Sequence, residues 1–319
     1  MRLRLDGDRL VVSDREGVKV YDLGGVAPAL MVQVGVPALA NPFAEHRDGE
    51  QISEVRGGVF ARMFTTPEGD EHWVKRPSHV TLFDLDLTPV ATYVMDRRLN
   101  DACLALSPDG ASLASVAYGG GVVAFEARTG RVLREAPGDI ASGTSWSPDG
   151  RMIAAGDTDQ GGGELYVLEL SGEEALVRHA LPAPTSRAPL YDSPYASAWS
   201  PDGALCAISC GAWSKRGVTV YDVAERVERW AVCYDMEVDE EDTENWEALD
   251  VAFVAGGAVV IAGVEGDLKA WRAADGAELS AVSCEGASSS RYVADEARRC
   301  IWYDCGGEPA RADYPEDWC

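Results

Sequence analysis

Basic residues are scarce in this chain of 319 residues: 28 Lys and Arg stand against 53 Asp and Glu, a formal charge of −25. That deficit argues against nucleic acid and anionic membrane as partners, because phosphate surfaces are held by clustered Lys and Arg. No apolar run approaches the roughly 20 residues of a membrane span. The first residues, Met-Arg-Leu-Arg-Leu-Asp-Gly-Asp, lack the apolar centre of a secretory signal, so a cytoplasmic location is expected. Of eight cysteines none forms a Cys-x-x-Cys pair, and the four histidines show no His-x-x-x-His spacing. Neither a disulfide scaffold nor a zinc site is indicated, and the thiols are expected to pack as small hydrophobes. No Gly-x-Ser-x-Gly elbow is present. The run Asp157-Thr-Asp159-Gln-Gly161-Gly-Gly-Glu164 lacks the ligand spacing of a calcium loop. No metal and no cofactor are expected.

What the sequence does contain is a repeat. Ser-Pro-Asp-Gly occurs at 107–110, 147–150 and 200–203, each time between two short apolar runs. Pro suits the second position of a tight turn, and Asp-Gly supplies a side-chain acceptor and a residue that tolerates positive φ. Each copy therefore reads as a hairpin. Degenerate copies align at Arg4-Leu5-Asp6-Gly7, Thr66-Pro67-Glu68-Gly69, Val254-Ala255-Gly256-Gly257 and Ala294-Asp295-Glu296-Ala297. The spacings between these seven starts are 62, 41, 40, 53, 54 and 40 residues, a base period near 40 with insertions.

Each unit continues alike. A second apolar run (Val11-Val12, Leu113–Val116 by number 113–116, 152–155, 259–262) leads through a Gly-rich connection to an alternating strand. That strand ends in an aromatic–acid pair: Tyr21-Asp22, Phe83-Asp84, Phe125-Glu126, Tyr221-Asp222, with Leu168-Glu169 and Trp271-Arg272 as variants. A more polar strand follows at 131–135, 175–180, 227–233 and 278–283. Four short strands about every 40 residues is the pattern of a propeller blade.

This order resembles the WD-repeat β-propeller superfamily and its bacterial relatives over nearly the whole chain. It departs from the standard repeat in lacking a Gly-His dipeptide and in carrying Tyr-Asp or Phe-Asp where Trp-Asp is usual. The fold expected is all-β, one propeller across 1–319, with seven four-stranded blades of which the last is incomplete; six blades is the alternative. The seventh unit shows an inner strand near 291–294 and a second near 300–305 before Gly306-Gly307-Glu308-Pro309. Its open edge is a place where a strand from another chain could add.

The excess residues fall at about 35–57, 182–194 and 235–247. In a propeller of the kind resembled, these connections share one face with the loops between second and third strands, and insertions on one face are often a binding surface. The second insertion holds four prolines with Tyr191 and Tyr195; proline lowers the cost of ordering a loop and tyrosine is a favoured interface anchor. The third packs eight carboxylates, Glu240, Glu241 and Asp242 among them, around Trp246. It reads as a solvated charge run, as a docking surface for a basic partner, or as a cation site. Trp73 with Arg76, and Trp213 with Arg216, lie in loops between second and third strands and suit interface hot spots. Trp146 and Trp199 precede two of the turns and are expected to pack between blades.

The expected function is a non-catalytic protein-interaction scaffold or complex subunit. Similar strands occur in quinoprotein, Tol-type and lactonase-type propellers, which implies an alternative: a hydrolase or quinone-dependent dehydrogenase working in the central channel. Arg128-Thr129-Gly130-Arg131-Val132 resembles a quinoprotein Thr-Gly turn, but most inner segments, such as 103–106 and 250–253, are too apolar for a catalytic channel.

Overall fold

A computed structural model describes residues 2–14, 17–25, 28–35, 51–53, 55–65, 77–99, 104–117, 121–136, 141–157, 165–171, 175–181, 194–212, 215–235, 250–264, 267–284, 287–305 and 308–318. Seven small antiparallel sheets, each made of strands consecutive in the chain, give a seven-bladed β-propeller. Among the described residues there is no α-helix, only two 3-10 turns, Ala255–Gly257 and Glu316–Trp318. The chain divides into two compact units, Met1–Ile140 with Gly172–Leu176, and Ala141–Ser171 with Val177–Cys319.

In the first unit, sheet one holds β1 (Arg2–Asp6), β2 (Arg9–Asp14), β3 (Gly17–Asp22) and β4 (Ala29–Gly35). Sheet two holds β5 (Gln51–Ile52), β6 (Val59–Thr65), β7 (Ser78–Asp84) and β8 (Pro89–Met95). Sheet three holds β9 (Ala105–Leu106), β10 (Ser112–Ala117), β11 (Gly121–Glu126) and β12 (Val132–Ala136). Alternate side chains of each sheet turn to opposite neighbours. Val11, Val18 and Val20 of sheet one thus meet Phe60, Phe83 and Leu87 of sheet two. From the other side of sheet two, Ala61, Met63, Val80 and Leu82 meet Leu106, Leu113, Val123 and Phe125 of sheet three. Each such buried Val, Leu, Met or Phe side chain contributes roughly 1.5–3 kcal/mol.

In the second unit, apart from the first two residues of β16, sheet four comprises β13 (Ala141–Trp146), β14 (Met152–Asp157), β15 (Leu165–Ser171) and β16 (Ala175–Leu181). Sheet five comprises β17 (Pro194–Trp199), β18 (Leu205–Ala212), β19 (Lys215–Asp222) and β20 (Val227–Asp235). Sheet six comprises β21 (Val251–Val254), β22 (Val259–Val264), β23 (Asp267–Arg272) and β24 (Glu278–Ser283). Sheet seven has three strands: β25 (Ala287–Asp295), β26 (Cys300–Cys305) and β27 (Glu308–Asp313). Trp199 packs with Ala154, Val167, Cys206 and Tyr221, and its Nε1 donates to the Ser145 carbonyl at 3.3 Å, as expected of an inter-blade tryptophan. Trp146 is half-buried.

The three Ser-Pro-Asp-Gly turns share one hydrogen-bond pattern. The Ser hydroxyl donates to the Asp Oδ1 at 2.6 Å in every copy: Ser107 to Asp109, Ser147 to Asp149, Ser200 to Asp202. The same hydroxyl accepts from the first N–H of the next strand at 2.9 Å, at Ser112, Met152 and Leu205. Oδ1 also accepts the N–H two residues on, at 3.0 Å. The hydroxyl leads the causes that hold all three carboxyls below the usual aspartate range.

One expected turn is corrected. Thr66–Gly69 by number 66–69 is not the first turn of the second blade, because it lies between β6 and β7, the second and third strands. The first turn is Arg56-Gly57-Gly58-Val59, where Arg56 and Val59 exchange backbone bonds at 2.9 and 3.1 Å. Two consecutive residues there have positive φ, +58° and +73°, a backbone that Gly-Gly supplies without strain. The Asp6 carboxylate of the first turn accepts the Gly58 N–H at 3.2 Å. Pro-Glu-Gly at 67–69 has turn composition, but the polar Asp70-Glu71-His72 follows where an apolar strand would have to begin.

Candidate docking surface

Sheet five brings three chain segments to one end. Its register pairs Pro194 with Cys210, Cys210 with Gly217, and Gly217 with Cys233. The first residue of β17, the last of β18, the first of β19 and the last of β20 therefore lie at the same end of a sheet about 14 Å wide. Segment 182–193 enters there at Pro194, the tip 213–214 joins β18 to β19, and segment 236–249 leaves from Asp235. The second and third strands run past β17: Gly211 pairs with Arg216 and Ala212 with Lys215, while Lys215 and Arg216 pair with Asp235 and Tyr234. The hairpin thus extends two residue pairs, about 7 Å, beyond the inner strand.

What holds this end in place is the packed remainder of the sheet. Cys206, Ala207, Ile208, Val218, Val220 and Tyr221 are all buried. Trp230 of β20 is buried against Val260 and Trp271 of sheet six, and its Nε1 donates to the Ala273 carbonyl at 2.8 Å. At the far end, the Asp222 carboxylate accepts the Glu225 N–H at 3.0 Å and an Arg229 Nη2 bond; these two partners hold it below the ordinary range. Burial pushes the Cys206 thiol up to about 12, which leaves it a packing group rather than a nucleophile. Among the described residues, no group of three or more His, Cys, Asp or Glu is placed to hold a metal.

The residues singled out from the sequence distribute as follows. Tyr195 lies in β17 at the register shift between Pro194 and Ala196, and Arg216 lies in the extended hairpin opposite Gly211 and Tyr234. Tyr191, Trp213, Glu240, Glu241, Asp242 and Trp246 lie outside the described residues, in the segments that spring from this end. Trp73 and Arg76 also lie outside them, between β6 and β7 of the first unit. At that end of sheet two, Gln51 pairs with Met63 and Thr65 with Ser78, so segments 36–50 and 66–76 likewise share an end. Sequence reasoning overlooked Tyr234 and its register opposite Arg216. Its signal was the period-two run Trp230, Val232, Tyr234, which carries the strand past Cys233.

No family model and no curated protein sequence matches the chain. Solved structures do. The chain is similar to Sqt1 of Chaetomium thermophilum bound to the N-terminus of the ribosomal protein L10, with 15% identity and a TM-score of 0.60 over 94% of this chain and 79% of that one. It is similar to a chain of the mitotic checkpoint complex, with 12% identity and a TM-score of 0.65 over 97% and 88%. It is also similar to the computationally designed Ika8 protein, with 13% identity and a TM-score of 0.60 over 98% and 82%. At these identities the likeness is one of fold, and the fold shared is the β-propeller.

Proposed function

We propose that the protein is a non-catalytic interaction scaffold that docks a partner protein at the extended end of sheet five. The observation that carries this reading is the convergence of segments 182–193, 213–214 and 236–249 on one end of one packed sheet. A rigid sheet presenting several variable segments is a common way to build a specific surface. Those segments contain Tyr191, Trp213 and Trp246 as aromatic anchors beside seven carboxylates at 237, 239, 240, 241, 242, 244 and 247. The partner is therefore expected to offer a basic patch, with Lys and Arg around an apolar centre. A solved structure of similar fold is described as bound to the N-terminus of a ribosomal protein, an instance of protein docking on this architecture.

The test is affinity capture with three forms of the protein: the unaltered chain, a deletion of 236–245, and the triple change Tyr191→Ala, Trp213→Ala, Trp246→Ala. Captured proteins are identified, expressed and titrated against each form. The expected result is loss of the same partners from both variants, and capture by the unaltered chain that weakens as salt rises. Undiminished affinity in variants with native circular dichroism would reject this surface.

A further inference from the structure

Sheet seven exposes a strand that its six counterparts cover. In the four-stranded sheets the third strand is interior: every residue of β11 except Glu126 is buried, and β7 is buried at four of seven positions. β27 occupies the third position of sheet seven, yet none of its residues is buried; Glu308, Arg311 and Asp313 are exposed and Pro309, Ala310 and Ala312 half-buried. The residues after it turn elsewhere. The Tyr314 N–H donates to the Arg299 carbonyl at 2.9 Å, and residues 316–318 cross to β24. There Trp318 is 2% exposed, its Nε1 donates to the Ser280 carbonyl at 2.9 Å, and the Asp317 carboxylate accepts the Ser280 N–H at 2.8 Å. Among the described residues, no strand pairs with the outer edge of β27.

The register shows what that edge offers. A two-residue connection, 306–307, joins Cys305 to Glu308, so this closing pair is hydrogen-bonded. Pairs then alternate, which makes Asp304–Pro309, Trp302–Arg311 and Cys300–Asp313 non-hydrogen-bonded toward β26. Residues 309, 311 and 313 accordingly direct their backbone groups outward. Pro309 lacks an N–H, so the inner ladder loses nothing to it, and the outer edge presents the N–H groups of Arg311 and Asp313 with the carbonyls of all three residues. A proline on such an edge restrains indiscriminate pairing but leaves the last four residues open.

We propose that the β27 edge is a strand-docking site, taking an extended segment of another protein in antiparallel orientation as the fourth strand of sheet seven. The third-to-fourth pairings of sheets one, two, three, five and six are all antiparallel. The covering strands also show which chemistry fits, since they turn apolar side chains inward: the alternate Ala91, Tyr93 and Met95 on β8, Trp230 and Val232 on β20, and Leu279 and Val282 either side of a register shift on β24. On β27 the matching face carries Ala310 and Ala312, packed beside Ile301 and Tyr303. Tyr314 and Trp318 belong to the same cluster, so apolar side chains of the incoming strand would meet an apolar face there. On the other face Arg311 is closed on Asp313 by Nε and Nη2 bonds of 2.9 and 2.6 Å, so polar residues of the partner belong there. The segment sought alternates apolar and polar over about five residues. This site is independent of the end of sheet five.

The probe is a labelled peptide with the sequence of this chain's own outer strand 227–235, carrying Cys233→Ser, titrated into the full chain. Saturable binding is expected, with Arg311→Pro weakening it about tenfold or more by removing one outward N–H and placing a ring against the incoming strand. The substitution repeats at 311 what Pro309 already does two residues earlier in the same register, so the inner ladder survives it. Hydrogen exchange supplies a readout that needs no variant: the amides of Arg311 and Asp313 exchange fast in the free chain and slow with peptide. The proposal is overturned if the peptide fails to bind at millimolar concentration, or if folded Arg311→Pro binds as the unaltered chain does. It is overturned equally if the two amides are already protected in the free monomer. A dimer that Arg311→Pro makes monomeric would reassign the edge to a second copy of this chain.

Discussion

Replacing Gly276 by alanine strikes two constraints at once. Gly276 lies in the turn between β23 and β24 with φ of +73°, and a Cβ there would stand 2.8 Å from Cδ2 and 2.9 Å from Cγ of Trp230. The left-handed backbone costs a non-glycine residue about 1 kcal/mol. The indole then has to move, and its buried Nε1 bond to the Ala273 carbonyl is lost or stretched, which adds about 1–2 kcal/mol. Against this, alanine restricts the unfolded chain and returns about 0.5 kcal/mol. The net destabilisation expected is about 1.5–2.5 kcal/mol, read as a lower denaturant midpoint at unchanged slope. Trp230→Phe on its own removes the same bond and part of the contact, so the double variant should fall short of the sum of the two single effects. A Gly276→Ala protein within about 0.5 kcal/mol of the unaltered chain would refute the reasoning, as would full additivity with Trp230→Phe.

Arg226 sits at the matching turn of sheet five with φ of +56°, where sheets three and six have Gly130 and Gly276. Arg226→Gly should raise stability by about 0.5–1 kcal/mol, and a lower melting temperature would contradict that. Ser200→Ala removes a hydroxyl that donates to Asp202 and accepts from Leu205, and should cost about 1 kcal/mol near neutral pH. Because the Ser200 bond lowers the folded pKa of Asp202 below its ordinary 3.8, its contribution is present above that value and lost as pH falls through the folded one. The gap between Ser200→Ala and the unaltered chain should therefore be flat from pH 5 to 8 and narrow below about 4; a gap that widens in acid would overturn this account.

The blades were legible because their marks are local. Ser-Pro-Asp-Gly encodes a turn within four residues, and the aromatic–acid pairs at Tyr21-Asp22, Phe83-Asp84, Phe125-Glu126 and Tyr221-Asp222 each close a third strand at the expected place. The second blade misled because its turn is Gly57-Gly58, with no proline or aspartate, while Thr66-Pro67-Glu68-Gly69 has turn composition without a strand to follow. β27 went unmarked because Glu308-Pro309-Ala310-Arg311-Ala312-Asp313 has no β-branched or aromatic residue; its sign was the Gly306-Gly307 loop, a hairpin signal. For the docking surface, the sequence showed which segments are long and which residues in them are aromatic. That sheet five extends beyond β17, with Tyr234 facing Arg216, is a matter of register, and register depends on pairings that composition does not reveal.

Every sheet is built from strands adjacent in the chain, so no blade waits for a distant segment before its own hydrogen bonds can close. On a ribosome adding 5–20 residues per second, a unit of about 40 residues emerges in roughly 2–8 seconds, far longer than a hairpin needs to form. Folding can then advance with synthesis, as when β10 and β11 pack on β6 and β7 of the sheet before. Closing each sheet from neighbouring strands limits the time for which unpaired edges meet other nascent chains. The sheet that comes last along these residues is the one with three described strands, so the strand-docking proposed for β27 would follow the completion of the six sheets before it.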